Sequence, residues 1–478
     1  MSKQPHVIYI ISDEHRGTAM SHMGDPNVRT PNMDRLAAEG VSFSRAYANC
    51  PICTPSRGTI FSGRHAHAGP VAGFYDIFKP GAPSTATILR QQGYHTAYFG
   101  KWHCGIVYDQ IPENVKNATV PFTGAPNRTP ESMRGGFQDW RAFEYNDAPF
   151  TNFAYFDQED EPRKVDGYQT DTFTDMVIDY LRNYDRDQPL FLVLSVEPPH
   201  FPCNVPDGWK RLSGPELKVG PSFNKLDPFF QGLEPQLEDE ELRSMLANYY
   251  GQIENLDWNI GRLAEATASL PGFENTLTAY FSDHGDYAGN HGLRMTKVNH
   301  HEESVRIPSI FHWPGHIPAQ GNTDGLFSLV DLLSTTCGLL DIPVPSHSQG
   351  TNFSPALRKQ DFDAPQEVLL EMHNTPRFNP RFADWRGFVT DKWKYAYYED
   401  RREALFDLEN DPHELHDLAR ERPDICQQMQ SRLLKLLHKN REPYFDVIIE
   451  HGVDQQTPDR LIYNLEEKHQ VARWSGGL

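Results

Sequence analysis

The sequence has few cysteines, no long apolar run and fewer basic than acidic residues. Its six cysteines in 478 residues are too sparse for the disulfide framework of a small secreted domain. No stretch reaches the roughly 18 consecutive apolar residues of a membrane-spanning helix, so we expect no membrane insertion. Lys and Arg number 45 against 65 Asp and Glu, and the net charge of −20 argues against the basic face that nucleic-acid binding requires. A small anion can still bind in a locally basic pocket of such a protein.

Residues 1–12 do not form a secretory signal. They contain a short apolar run, but they lack the basic start, the longer apolar stretch and the small-residue cleavage site of such signals. We therefore expect a cytoplasmic protein, although a chain from which a signal had been removed would show the same pattern. The oligomeric state is not predictable from the sequence.

Short apolar runs alternate with helical patterns along most of the chain. The runs cover residues 6–12, 96–99, 189–196, 276–282 and 308–313. Runs this apolar are typical of strands buried on both faces, as in a parallel sheet covered by helices. Helices are predicted between them, at about residues 31–39, 85–92, 170–184 and 238–268. This alternation predicts an α/β fold with a large mixed, mostly parallel sheet sandwiched by helices.

Two regions depart from the alternation. Residues 105–165 are rich in Pro, Asn, Gly and aromatic residues, and we expect loops over a site there. After about residue 371 an alternating pattern predicts an antiparallel strand, and a helix is predicted around residues 423–438. We therefore predict a larger α/β domain over residues 1–370 and a smaller α+β domain with an antiparallel sheet over residues 371–478.

Charged and histidine residues follow four of the predicted strands. They lie at residues 13–16, 100–103, 197–200 and 283–286. Ligands of open α/β sheets bind at the carboxyl ends of the strands, and the carboxylates of Asp13 and Asp283 suit Ca²⁺, Mg²⁺ or Mn²⁺. Taken singly, each Asp could instead cap the following loop, and His200 could be a buried loop histidine. Their joint placement predicts a site.

The segment at residues 50–58, CPICTPSRG, is the most informative part of the sequence. Thr54 and Pro55 are typical of a helix start, which would place Cys53 beside a helix N-terminus. Such a position lowers the pKa of a thiol and binds anions. Arg57, one turn further on, could reach the same point. Alternatively, Cys53 is a structural cysteine or forms a redox pair with Cys50, although no thioredoxin-like context supports the redox pair.

Residues 53–57, CTPSR, followed by SGR at 62–64, resemble the C-x-P-S-R…T-G-R signature of type I sulfatases. These are formylglycine-dependent enzymes of the alkaline-phosphatase-like superfamily. Other family motifs match in the same order: GKWH at 100–103, PHFP at 199–202, DHG at 283–285, EESVRIP at 302–308 and LFDLENDP at 405–412. The resemblance therefore extends over nearly the whole chain.

The resemblance implies hydrolysis of a sulfate monoester by S–O cleavage. Cys53 would be oxidised to formylglycine by a maturation enzyme, and the hydrated aldehyde would carry two hydroxyl groups. One hydroxyl would attack sulfur and expel the alcohol, and loss of the proton from the other would release sulfate and restore the aldehyde. A neutral hydroxyl is a weak nucleophile and needs activation by a metal or a base. The expected substrate is a small anionic sulfate ester, either a sulfated carbohydrate or a small organic sulfate.

The resemblance also implies one divalent cation beside the modified Cys53. Its implied protein ligands are Asp13, Glu14, Asp283 and His284, and Ca²⁺ is the expected ion, with Mg²⁺ and Mn²⁺ as alternatives. Two ligands depart from the commonest pattern. Many relatives have Asp where this chain has Glu14, and Asn where it has His284.

Five further side chains match family positions that act on the substrate. Arg57 and Lys101 would stabilise the diol and the developing charge, and His103 would be the base for the second step. His200 and Lys297 would bind sulfate oxygens, with His200 as an acid for the leaving alcohol. Because the Asp-His pair also occurs in relatives that hydrolyse phosphonate monoesters and phosphodiesters, that activity is an alternative. A non-catalytic relative that binds anionic sugars is another.

Overall fold

The computed structural model describes residues 4–74, 76–105, 128–144, 150–159, 161–230, 238–293, 296–373, 383–444 and 446–448. Within these residues one large sheet has eleven strands, and a separate antiparallel sheet has four. The large sheet contains β1 (His6–Asp13), β2 (Val41–Tyr47), β3 (His95–Lys101), β4 (Asp139–Phe143), β5 (Thr151–Phe156), β6 (Pro162–Tyr168), β7 (Leu190–Pro199), β8 (Thr276–Ser282), β9 (Arg306–Ile307), β10 (Ser309–His312) and β11 (Gly321–Ser328). The small sheet contains β12 (Val368–Met372), β13 (Trp385–Val389), β14 (Trp393–Tyr398) and β15 (Glu403–Asp407).

Nine α-helices lie in the described part of the chain. They are α1 (Pro31–Glu39), α2 (Cys53–Ser62), α3 (Thr85–Gln91), α4 (Gln169–Arg182), α5 (Asp239–Ser269), α6 (Glu302–Val305), α7 (Asp331–Leu339), α8 (Ser354–Leu357) and α9 (Pro423–Asn440). The helices predicted from the sequence agree with α1, α3, α4, α5 and α9 to within about two residues at each end. No helix in the described part has the length and apolarity of a membrane span.

The large sheet is mixed, and its centre is parallel. The strand order is β11-β2-β10-β8-β1-β7-β3-β4-β5-β6, with β9 paired to β2. β1 lies between β7 and β8 and is parallel to both, and β3 is parallel to β7. β10 is antiparallel to both of its neighbours. The α/β sheet predicted from the sequence is therefore confirmed, with an antiparallel strand at the last apolar run.

The central strand β1 is buried along its whole length. Val7, Tyr9 and Ile11 face one hydrophobic core, and Ile8 and Ile10 face a second core on the other side of the sheet. Alternate side chains of a strand point to opposite faces, so an unbroken apolar run of this kind needs cover on both sides. This is why the sequence of β1 lacks polar alternation and why helices sandwich the sheet.

The start of α2 differs from the sequence expectation. The helix begins at Cys53, with Ile52 rather than Thr54 as its N-cap. Pro55 is then the third helical residue. It is tolerated there because the first backbone N–H groups of a helix have no intrahelical acceptor. Cys53 is consequently part of the first turn of α2.

The expectation of loops throughout residues 105–165 was wrong. β4 pairs parallel with β3, and β5 and β6 form an antiparallel extension at the edge of the sheet. Most of the side chains of β6 are exposed, so its sequence shows little of the apolar pattern that marks a buried strand. Residues 106–127 and 145–149, which this expectation also covers, lie outside the described residues.

The predicted antiparallel sheet near the C-terminus is confirmed, and it has two buried faces. One face packs on α9, with Phe388 and Leu433 in a shared core. The other face contributes Leu370 and Trp385 to a core that also contains Tyr47 of β2. The small sheet is therefore packed against the large sheet through this second face, while α9 covers the first.

Candidate active site

The candidate site lies where the carboxyl ends of the central strands meet the first turn of α2. Asp13 is the last residue of β1 and Lys101 the last residue of β3, and Asp283 directly follows β8. Cys53 opens α2 beside them. Parallel strands end at the same edge of a sheet, so these distant segments deliver their side chains to one place.

Cys53 is close to two of the predicted metal ligands. Its Sγ lies 3.1 Å from His284 Nε2 and 3.7 Å from Asp13 Oδ1. The lowered thiol pKa that we expected from the helix N-terminus is not found. Burial and the nearby carboxylate of Asp13 raise the pKa of the Cys53 thiol well above its usual value. The unmodified side chain is therefore a neutral thiol and a poor nucleophile.

Arg57 links the two strand ends that carry the predicted metal ligands Asp13 and Asp283. Its guanidinium group donates to Asp283 Oδ2 at 3.0 Å and to Asp13 Oδ2 at 3.2 Å. Nη1 also donates to the carbonyl oxygen of Lys101 and to Ser195 Oγ, both at 2.9 Å. Because the side chain is fully buried, these bonds fix the guanidinium in one orientation between the carboxylates.

Lys101 is a buried ammonium group between two carboxylates. Nζ lies 2.7 Å from Asp13 Oδ2 and 3.5 Å from Glu197 Oε1. Burial alone would lower the pKa of Lys101, but Asp13 holds it well above its usual value, so the side chain is charged. Glu197 is positioned by Gln169, whose amide nitrogen donates to Glu197 Oε2 at 2.8 Å. The sequence analysis assigned Glu197 no role, although it is the first charged residue after a buried run.

His200 and Lys297 form a second group with Glu14. Lys297 Nζ lies 2.7 Å from His200 Nε2 and 2.9 Å from Glu14 Oε1. Glu14 Oε2 lies 3.2 Å from His200 Nε2. Burial and the Lys297 charge lower the pKa of His200 to about 4 even though Glu14 opposes the shift, so the imidazole is neutral at pH 7.

Glu14 is separated from the compact group of potential metal ligands. Asp13, Cys53, Asp283 and His284 place one ligand atom each within 4.8 Å of one another, whereas Glu14 groups with Asp13 and His200. Its pKa is lowered to about 2, because His200, which is protonated in the acidic range where Glu14 titrates, and Lys297 together outweigh the effect of burial. Whether Glu14 binds a metal stays a prediction.

Asp286 is a further buried carboxyl group at the site that sequence reasoning did not single out. Burial, the Glu14 charge and a hydrogen bond to Glu14 raise the pKa of Asp286 well above its usual value. The shift favours the protonated Asp286 carboxyl group, which can donate a hydrogen bond to the Glu14 carboxylate. Its only signal in the sequence is that it lies three residues after Asp283, in a segment that follows a strand.

His103 lies two residues beyond the end of β3, with a left-handed backbone at φ +54°. Its ring meets that of Phe74 edge to face at 5.3 Å between centroids. Burial lowers the pKa of His103 well below its usual value, and the charges of Lys101 and Arg57 lower it further. The imidazole is therefore neutral and able to accept a proton.

Acidic and basic side chains of the site nearly balance. The carboxylates of Asp13, Glu14, Asp283 and Glu197 outnumber the cationic side chains of Arg57, Lys101 and Lys297 by one. A divalent cation added to this arrangement would leave an excess of positive charge, which favours a bound anion. An acidic protein can thus offer a cationic pocket at the ends of its strands.

Comparisons with known proteins agree with this arrangement. A protein-family model described as Sulfatase matches residues 5–342, and one described as N-sulphoglucosamine sulphohydrolase, C-terminal, matches residues 289–442. The ulvan-active sulfatase of Formosa agariphila is 30% identical over 426 residues, covering 87% of this chain and 77% of that protein. The endo-4-O-sulfatase of Bacteroides thetaiotaomicron is 26% identical over 487 residues, covering 93% and 94%.

Solved structures share the fold over most of the chain. A Bacteroides fragilis protein assigned as the sulfatase yidJ has a TM-score of 0.81 and 26% identity, covering 94% of this chain and 98% of that one. The phosphonate monoester hydrolase of Agrobacterium radiobacter has a TM-score of 0.71 and 22% identity, covering 91% and 96%. At 22% identity, the similarity to the phosphonate monoester hydrolase shows a shared fold alone.

Proposed function

This chain belongs to the sulfatase family and is a sulfuric ester hydrolase, and on this premise we propose that it acts through a formylglycine formed from Cys53. The proposal includes a maturation enzyme as a partner that oxidises Cys53. The observation that carries it is the position of Cys53 Sγ, 3.1 Å from His284 Nε2 and 3.7 Å from Asp13 Oδ1, in the first turn of α2. A raised thiol pKa also disfavours direct attack by the unmodified cysteine.

The donor set beside Cys53 fits a divalent cation. Asp13, Asp283 and His284 each offer a buried ligand atom within 4.8 Å of the others and of Cys53 Sγ. Two carboxylates suit hard cations, and we propose Ca²⁺, with Mn²⁺ or Mg²⁺ as alternatives. When bound, the cation would supply Lewis acidity to a hydroxyl group at residue 53. Glu14 is a candidate further ligand.

The side chains around residue 53 match the proton transfers that a hydrated aldehyde requires. Such a group offers one hydroxyl to attack sulfur and a second whose deprotonation releases sulfate. His103, neutral because of burial and two nearby cations, is the proposed acceptor of that proton. Lys101 stays protonated and offsets the negative charge that develops on the attacking side. Arg57 holds Asp13 and Asp283 in place.

His200 and Lys297 are the proposed contacts for the sulfate oxygens and the leaving alcohol. His200 Nδ1 contacts the carbonyl oxygen of Phe201, so Nδ1 carries the ring hydrogen and Nε2 accepts from Lys297. We propose that Lys297, whose pKa Glu14 holds above its usual value, stays protonated and binds the sulfate oxygens. His200 is the proposed proton donor to the leaving alcohol, and the negative charge of a bound sulfate ester favours its protonated form.

The alcohol half of the substrate is proposed from the relatives. An N-acetylglucosamine-6-O-sulfatase of Bacteroides thetaiotaomicron is named for a sugar, and the ulvan-active sulfatase is named for ulvan. We therefore propose a sulfated carbohydrate, with small organic sulfates as further substrates. A panel of sulfated sugars and aryl sulfates assayed with the matured enzyme tests this class.

Mass spectrometry of the tryptic peptide 46–57 tests the modification. In protein produced with a maturation enzyme, we expect the peptide mass to fall by the difference between CH₂SH and CHO. Turnover of 4-nitrophenyl sulfate should rise in proportion to the converted fraction. Full turnover by protein whose peptide is entirely unmodified would contradict the proposal, and full conversion without turnover would favour a non-catalytic anionic-sugar binder.

A second candidate reaction uses the same site. His284 belongs to the proposed metal-binding group, at a position where many sulfatases have Asn. The Asp-His pair also occurs in relatives that cleave phosphonate monoesters and phosphodiesters. Comparison of kcat/KM for 4-nitrophenyl sulfate and for a phenylphosphonate ester separates the two reactions. A much larger kcat/KM for the phosphonate ester would show that a phosphonate ester, and not a sulfate ester, is the main substrate.

A further inference from the structure

The residues of the candidate site differ in exposure. Asp13 is fully buried, and the exposed fraction is 2% at Cys53, 4% at His103 and 9% at His200. At Phe201, the next residue in the chain, it is 42%. Phe201 is therefore on the solvent side of the site, where the alcohol half of a substrate whose sulfate group reaches residue 53 would emerge.

The backbone of Phe201 is fixed to the site while its ring is exposed. Its carbonyl oxygen accepts a hydrogen bond from His200 Nδ1, and its backbone N–H donates to Glu14 Oε2 at 3.4 Å. His200 Nε2 in turn lies 2.7 Å from Lys297 Nζ. The backbone of Phe201 is thus held next to the groups proposed to contact the sulfate ester, and its exposed ring is attached at that fixed point.

Single exposed apolar side chains are common on proteins and need no function by themselves. Among the described residues the large exposed hydrophobic side chains are Phe201, Trp258, Val344 and Leu415. Trp258 lies on α5, where the guanidinium of Arg262 covers its ring at 4.7 Å. Among the described residues, no aromatic ring or cationic side chain stacks on Phe201. Of these four exposed side chains, Phe201 is the one that adjoins the site.

We propose that Phe201 is a binding platform for a ring in the alcohol half of the substrate, directly outside the sulfate position. The matching ligand is a ring with a flat apolar face, either a pyranose or an aryl group. Stacking would remove apolar surface from water on both partners, and the planar side chain loses little conformational freedom. This inference rests on the proposed sulfatase function and specifies the substrate class at the same site.

The test compares three sulfate monoesters that differ in the alcohol. They are 4-nitrophenyl sulfate, a monosulfated methyl pyranoside and propyl sulfate, which has no ring. For Phe201→Ala we expect kcat/KM to fall about 3- to 10-fold for the two ring-bearing esters, in line with the strength of aromatic stacking. For propyl sulfate we expect a change of less than about 2-fold. Phe201→Trp should retain the wild-type preference for rings.

Trp258→Ala is the matched control, because Trp258 is an aromatic residue exposed to 43% and lies on α5. It should leave kcat/KM unchanged for all three esters. A loss in Phe201→Ala for only one ring class would support the platform and identify that class. An equal loss for all three esters, or no loss for any, would overturn it. If wild-type enzyme with converted Cys53 hydrolysed none of the esters, the proposed function itself would fail.

Discussion

Replacement of Arg57 by lysine tests whether a planar guanidinium organises the carboxylates of Asp13 and Asp283, the proposed metal ligands. Arg57 is fully buried and makes four hydrogen bonds of 2.9–3.2 Å. Two are to the carboxylates of Asp13 and Asp283, one is to the carbonyl of Lys101, and one is to Ser195 Oγ. The Arg57→Lys substitution keeps the charge but replaces three donor nitrogens in a fixed plane by a single ammonium group.

The expected cost follows from the bonds that an ammonium group cannot make. It can approach one carboxylate, so the hydrogen bonds to the other carboxylate and to the two neutral oxygens are lost. All three have a charged donor, and such hydrogen bonds contribute roughly 1.5–3 kcal/mol each. Because the retained ammonium charge recovers part of this loss, we expect the free energy of unfolding to fall by about 3–5 kcal/mol, the range for breaking a buried ion pair.

Two assays measure the effect. Urea unfolding gives the change in stability, and steady-state turnover of 4-nitrophenyl sulfate by matured enzyme gives kcat/KM. We expect kcat/KM to fall by at least about 100-fold, because displaced carboxylates misplace the reacting groups. Arg182→Lys is the matched control, since the side chain of Arg182 is 61% exposed on α4 and, among the described residues, its one ion pair is with Asp179. It should change neither quantity.

A small effect would refute this reasoning. If Arg57→Lys lowered the free energy of unfolding by less than about 1 kcal/mol and retained its turnover, a single positive charge would suffice between the two strand ends. The planar bridge between Asp13 and Asp283 would then have no special role. A loss of turnover without a loss of stability would instead place the contribution of Arg57 in catalysis alone.

Three further predictions concern the nucleophile, the metal and the contact between the two sheets. Cys53→Ala should abolish turnover and leave the protein folded, as judged by circular dichroism. The matched control Cys50→Ala should remain active. Substantial turnover by Cys53→Ala would exclude the proposed nucleophile. Removal of the divalent cation by a chelator should abolish turnover, and added Ca²⁺ should restore it. Unchanged activity in excess chelator would argue against a required cation. Burial alone would lower the pKa of His67, but Glu371, 2.7 Å from its Nδ1, raises it. The stabilisation by His67 is thus complete below its ordinary pKa of about 6.5 and is lost as the pH rises through the higher folded value. His67→Gln should therefore destabilise the protein more at pH 6 than at pH 9 in urea unfolding, and equal losses would contradict the ion pair.

Much of the fold was predictable because its signals are local. The apolar run of β1 requires burial on both faces, and Thr30, Pro31 and Gly40 mark the ends of α1. The edge strands β4 to β6 were missed because an exposed strand needs no continuous apolar run, and only pairing with β3 identifies them. Local pattern thus predicted the centre of the sheet better than its edge.

The same distinction applies to the site. Asp13, Asp283 and His200 were singled out because a polar residue after a buried strand is a local feature of the sequence. Glu197 and Asp286 follow the same pattern, but their importance comes from partners on other segments. Asp286 matters because it meets Glu14, and Glu197 because it lies 3.5 Å from Lys101. No local sequence pattern indicates such contacts between distant segments of the chain.

The sequence by itself determined which chemical groups are present and that they follow strands, and its motifs carried the family resemblance. Only the tertiary structure decided their surroundings. Cys53 and His284 are 231 residues apart in the chain, yet their Sγ and Nε2 atoms lie 3.1 Å apart. The local rule for a helix N-terminus predicted a lowered thiol pKa for Cys53, whereas burial and Asp13 raise it. A pKa depends on every charge and solvent molecule nearby, and the fold alone determines which of these surround Cys53.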